Sequence, residues 1–145
     1  MENYFECKVK YVKIDDDGIG GGVCDRCWEK GWPVKAVHNG ARAGDPTRFA
    51  NQRAEAAWAL KAWIEGGGAI PNDDDLCADI AMIRTRPPSS DDERTRLEPK
   101  DELPHSPDRF DSAMYAVYEP PGVELVQTRT VLPREIYGGI GSELP

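Results

Sequence analysis

From residue 7 to residue 14 the chain alternates apolar and basic positions: Cys7, Lys8, Val9, Lys10, Tyr11, Val12, Lys13, Ile14. A period of two predicts a strand with one buried face. Gly18 to Gly31 reads as a glycine-opened helix with Val23, Cys24, Cys27 and Trp28 on its inner side. Pro33 to His38 is a second short strand. Strand, helix, strand in so short a span predicts a βαβ unit with parallel strands and a right-handed crossover. Asp45-Pro46 has the form of an N-cap followed by a first-turn proline. It predicts a helix from Pro46 to Glu65, with Phe49, Ala56, Leu60 and Trp63 as its apolar stripe. Gly66-Gly67-Gly68 stops that helix. Leu76 to Met82 fits either a short helix or a strand. Ile83–Arg86 and Thr95–Glu98 predict a β-hairpin around a polar loop. Ser106-Pro107 predicts an N-cap and first-turn proline at the start of a last helix, with Phe110, Ala113, Met114 and Val117 at helical spacing. Residues 122–145 show neither period, and the expectation is a flexible or partner-docked tail.

Composition adds limits. The 145 residues suit one domain, here 1–120, followed by the tail at 121–145. No apolar run approaches the ~18 residues of a membrane span. The N-terminus lacks the basic and apolar regions of a signal peptide, so a cytoplasmic protein is expected. Net charge is −8. Residues 1–66 carry ten basic and ten acidic side chains, so the whole imbalance lies in the second half. Such a chain is a poor non-specific binder of nucleic acid, unless its carboxylates hold cations. Cys24 and Cys27 form a C-x-x-C inside the first helix, at a spacing that favours core packing over zinc or redox chemistry.

Candidate chemistry resides in carboxylates. Asp15 ends the first strand, ahead of Asp16, Asp17 and the glycines that open a helix. Asp108 and Asp111 fall in the first turn of the last helix, at i, i+3 on one face, where the helix dipole favours negative charge. Should that helix pack beside the first strand, Asp15, Asp108 and Asp111 would converge. Hard oxygen ligands suit Mg²⁺ or Mn²⁺, and two such ions drive in-line phosphodiester hydrolysis. Each motif also has a plain reading, as a polar strand-to-helix turn and as an ordinary helix start. The glycines at 18, 20 and 22 lack the full dinucleotide-binding fingerprint.

Taken in order, several stretches resemble one family. They are Ile14-Asp15-x-x-Gly18-Ile19-Gly20-x-Gly22-Val23-x-Asp25-Arg26; Asn51-x-Arg53-Ala54-Glu55-x-x-Trp58-x-Leu60; Ala69-Ile70-Pro71 with Asp75-Leu76; Arg96-Leu97-Glu98-x-Lys100-Asp101-Glu102; and Ser106-Pro107-Asp108-Arg109-x-Asp111-Ser112-Ala113. Together they resemble the nuclease domain of phage terminase large subunits. The resemblance implies an α/β, ribonuclease H-like fold, here partial: a mixed sheet with flanking helices and a β-hairpin. It implies a Mg²⁺- or Mn²⁺-dependent endonuclease, with two ions in the complete site, that cuts concatemeric viral DNA during packaging. The metal ligands fall on Asp15 and on Asp108 or Asp111, with Asp108 the favoured primary ligand. Lys100 would lie near the site and meet phosphate. The implied partners are double-stranded phage DNA, the portal and the small terminase subunit, in the bacterial cytoplasm. The family carries an ATPase domain and a further metal aspartate upstream of the Asp15 motif, and no G-x-x-x-x-G-K-[S/T] occurs here. A separate polypeptide carrying those parts is therefore a further expected partner, and this chain alone is expected to cut weakly or not at all. The alternative is a non-catalytic interaction module or decoy that binds terminase or portal components.

Overall fold

A computed structural model describes residues 10–18 and 20–121. The expected strand positions 7–9 and the expected tail from 122 onward lie outside the described residues. The protein is mixed α/β and divides into two compact units at Ala36–Val37.

In the first unit, β1 (Val12–Asp15) and β2 (Val34–Val37) form a two-stranded parallel sheet joined by α1 (Gly20–Glu29). The predicted βαβ unit is therefore present. Gly20 is required where strand turns to helix: a Cβ there would fall 1.5 Å from the Asp15 carbonyl oxygen. Gly18 (φ +81°) and Gly31 (φ +73°) supply the left-handed residues that let the chain turn before and after α1. Cys24, Cys27 and Val34 form the buried centre, with Ile14, Trp28, Trp32 and Ala36 packed around it. The C-x-x-C is thus part of the packing. Burial, reinforced by the nearby Asp16 carboxylate, pushes the Cys24 thiol above its usual range. That disfavours the thiolate which redox and metal chemistry need.

The second unit contains α2 (Gln52–Glu65), α3 (Asp74–Met82) and α4 (Asp108–Val117), with α4 packed on both others. Its core holds Val37, Phe49, Ala56, Leu60, Leu97, Phe110 and Met114. Met114, fully buried, sits on the expected apolar face of α4. Leu76–Met82, open between helix and strand in the sequence, belongs to a helix whose N-cap is Asp73. The Asp73 side chain accepts from Leu76 N–H at 2.9 Å.

Two expected elements differ. α2 begins at Gln52, not at Pro46, and its cap is Asn51, which accepts from Ala54 N–H. Asp45 instead closes a turn on Thr47. The Glu55 carboxylate holds that turn away from the helix axis by accepting from Gly44 N–H (2.7 Å) and Asp45 N–H (3.0 Å). Glu55 also accepts from Tyr118 Oη–H at 2.7 Å. Burial and the neighbouring Glu55 charge push the Tyr118 phenol well above its usual range. Phe49 therefore precedes the helix, yet it is buried, paired with Thr95 in a single parallel bridge. The expected hairpin at 83–98 is reduced to isolated antiparallel bridges, Thr85 with Leu97 and Ser89 with Asp92. Asp92 gathers Arg94 and Arg96 at its tip. No helix among the described residues is long and apolar enough to cross a membrane.

Candidate functional site

The start of α4 is tied down by side chains from outside its own helix. Sequence reading assigns Ser106 as its cap, but the N-cap position falls on Pro107, which offers no side-chain acceptor. Ser106 Oγ donates instead to Asp108 Oδ1 at 2.5 Å. The α4 N–H groups are met from α3: Asp79 Oδ2 accepts from Arg109 N–H (3.0 Å) and Phe110 N–H (3.3 Å). Its other oxygen lies 2.9 Å from His105 Nε2. Asp79 is 5 % exposed. Burial alone would push its carboxyl up. The bonds from His105, Phe110 and Arg109 outweigh that and hold it below the usual carboxylate range. Arg109 closes the junction by pairing with Asp73 and with Asp75.

On this frame the two expected ligands of α4 have different surroundings. Asp108 is exposed and lines a cleft of about 340 Å³ with Asp75, Asp79, His105, Ser106 and Arg109. Asp111 is buried, 6 % exposed, and its Oδ2 lies 2.6 Å from Lys100 Nζ. Lys100 opens a short 3-10 turn, Lys100–Glu102, fixed by Leu103 N–H on the Lys100 carbonyl. The geometry thus brings Lys100 to Asp111 and distinguishes Asp111, as the enclosed carboxylate, from Asp108.

Two further side chains approach from the α2 side. Asn39 Nδ2 donates to the hydroxyl of Tyr115, one turn beyond Asp111, at 2.6 Å. Arg53, 8 % exposed, donates through Nη1 to the Glu98 carbonyl at 3.0 Å, two residues before Lys100. Its Nε and Nη2 meet no hydrogen-bond partner among the described residues. Asn39, Asp79, His105 and Tyr115 were not marked by spacing, because each acts across more than 25 positions of sequence. A buried polar position on an otherwise apolar helix face, as at Asp79 and Tyr115, is the signal that sequence did carry.

Asp15 belongs to the first unit and Asp108 and Asp111 to the second. Asp15 Oδ1 accepts from Asp17 N–H at 3.0 Å, which makes an Asx turn of the strand end. Asp16 approaches the first turn of α1: a Cβ on Gly21 would lie 3.0 Å from Asp16 Oδ1. Among the described residues no three His, Cys, Asp or Glu side chains form a group able to hold a metal ion. Asp111 is an enclosed carboxylate that holds the Lys100 ammonium at contact distance. The chain matches no protein-family model, no curated protein and no solved structure.

Proposed function

We propose that the chain is a nuclease segment of the phage terminase large-subunit type, with a partial ribonuclease H-like fold, and that Asp111 is its principal metal ligand in the second unit. The observation that carries this reading is the Lys100–Asp111 pair, in which Asp111 is buried and Lys100 half-exposed. It joins two of the stretches that carry the resemblance, Arg96–Glu102 and Ser106–Ala113, at the residues from which such an enzyme would work. The preference between Asp108 and Asp111 is thereby reversed from the sequence reading. Asp111 is held in an enclosed setting against Lys100, whereas Asp108 is exposed and accepts from Ser106.

In this reading Asp111 is the Mg²⁺ or Mn²⁺ ligand of the second unit, and Asp15 is the ligand that the resemblance assigns in the first. Bound ions would activate water and stabilise the leaving oxygen. Asp79 and the Arg109 pairs fix the first turn of α4, so that Asp111 presents its oxygens with little freedom. Lys100 balances the Asp111 charge and lies where a phosphate oxygen can be met. Double-stranded DNA is the substrate and the bacterial cytoplasm the setting. The test is Mn²⁺-dependent nicking of plasmid DNA by the purified chain. Slow nicking that disappears in both Asp15→Ala and Asp111→Ala supports the proposal. Cleavage at the rate of a full nuclease, undiminished in either variant, overturns it.

A second reading, a non-catalytic module that docks on terminase or portal components, is favoured by a different feature. An apolar cleft of about 850 Å³ runs between Trp63, Ile70, Pro71, Ala113 and Val117, and Trp63 is 40 % exposed. Apolar clefts rimmed by charge are common protein-docking surfaces. Absence of any Asp111-dependent Mn²⁺ binding, together with capture of portal or small terminase subunit that Trp63→Ala weakens, would favour this reading.

A further inference from the structure

A further cleft of the second unit, of about 530 Å³, lies between α2, the C-terminal end of α3 and Leu97. Its floor is apolar and buried: Leu60, Leu97 and Phe110. Its walls are Trp58, Ile64, Ile80 and Ile83, half-buried and packed against the core. The Trp58 indole is set against Phe49, with ring centroids 6.2 Å apart. The exposed rim carries Lys61, Glu65, Arg84 and Thr85. Lys61 and Glu65 pair with each other at 2.5 Å. Arg84 is the charge left over, since it pairs with no acidic side chain among the described residues. Its Nη1 donates to the Ala81 carbonyl at 2.9 Å. A cation is favoured at such a helix end, yet that bond uses one of five guanidinium donors. The Arg84 backbone is fixed as well, because Glu98 N–H donates to its carbonyl at 3.0 Å.

We propose that this cleft binds a small amphipathic carboxylate, with its hydrocarbon body against Leu60, Leu97 and Phe110 and its carboxylate on Arg84. Small-molecule sites are concave and mostly apolar, span about 300–1,000 Å³, and are oriented by a few polar groups. The cleft has that volume and that lining. A hydrocarbon body gains by leaving water. The charged head stays at the exposed rim and so escapes the cost of burial. Arginine offers a carboxylate two parallel N–H donors, and Thr85 brings a hydroxyl to the same rim. An amine head on the same body would meet Arg84 as a like charge. The site is independent of both readings above, since no rim group takes part in the Lys100–Asp111 pair or lines the Trp63 cleft.

The test uses the full chain, with decanoate and decylamine below their micelle concentrations as probes. In methyl NMR spectra of the wild type, decanoate should shift Ile80, Ile83 and Leu97 saturably. Ile70 and Val117, which line the other apolar cleft, should keep their positions. Decylamine should bind more weakly than decanoate. In Arg84→Gln the decanoate affinity should fall about tenfold, the lower end for a hydrogen bond to a charged group, and the preference over decylamine should disappear. The wild-type arm uses unaltered protein and stands even where Arg84→Gln folds poorly. Decylamine binding as tightly as decanoate overturns the proposal, since the cleft would then be a general apolar surface. Decanoate binding that Arg84→Gln leaves unchanged overturns it, as do shifts confined to Ile70 and Val117, or no binding at all. Self-association in sedimentation that shifts Ile80, Ile83 and Leu97 without any probe would assign the cleft to a second copy of the chain and also overturns it.

Discussion

Two acidic turns open helices in this protein, and they are built differently. At Asp15–Asp17 the chain bends from strand to helix through contacts a few residues apart: Asp15 with Asp17, Asp16 against Gly21, and a glycine where the backbone passes too close for a side chain. At Ser106–Asp111 the turn is held by distant groups: Asp79 on the helix N–H donors, His105 behind Asp79, Asp73 and Asp75 on Arg109, and Lys100 on Asp111. The first turn is a property of its own sequence. The second is a property of how α3, α4 and the 97–103 segment meet.

That contrast can be broken at several points. The largest effect should come from Met114→Ala, which empties the centre of the α4 contact. A loss of about 2–5 kcal/mol is expected from large-to-small core substitution, read as a fall in thermal midpoint. Next is Gly20→Ala, whose methyl would strike the Asp15 carbonyl. Forcing a methyl into such a space costs about 1–3 kcal/mol, and the change should perturb Trp28 and Trp32 fluorescence in the first unit. Asp79→Ala should cost about 0.5–2 kcal/mol as a lost helix cap, with faster amide exchange at Arg109 and Phe110.

The same Asp79 gives a pH dependence. Its folded value lies below the ordinary one of about 3.9. Its contribution is therefore complete above about pH 4 and is lost as pH falls through the depressed folded value. The acid limb of the stability curve should flatten in Asp79→Asn. An unchanged limb would show that the cap carries no such charge term. The smallest effect is expected for Asp108→Ala, exposed and bonded to Ser106, within about 0.5 kcal/mol of wild type. A larger loss would mean that the α4 start depends on Asp108 as much as on Asp79.

Local signals were the legible part. The βαβ order, the packing role of Cys24 and Cys27, and the stripe of α4 follow from periodicity and from glycine placement; of the expected α2 stripe, Ala56 and Leu60 are buried in the helix, Phe49 precedes it and Trp63 is exposed. The start of α2 was misread because Asp45-Pro46 satisfies every local rule for a helix start. Glu55, ten residues on, draws that dipeptide into a loop instead. Ser106 was misread as a cap for the same reason, since Asp79 comes from a helix 30 residues earlier. Within the site, the resemblance implies that Lys100 lies near the expected metal aspartates, but the burial that separates Asp111 from Asp108 exists only once α4 is packed. A hairpin was expected at 83–98 because its flanks look like strands. The arginine cluster on Asp92 organises the tip, and only single bridges form behind it.

The most direct test of the central claim is a calorimetric Mn²⁺ titration of wild type beside Asp111→Asn and Asp108→Asn. The account predicts saturable Mn²⁺ binding that Asp111→Asn abolishes and Asp108→Asn weakens only slightly. Binding left intact by Asp111→Asn, or lost equally in Asp108→Asn, would contradict it.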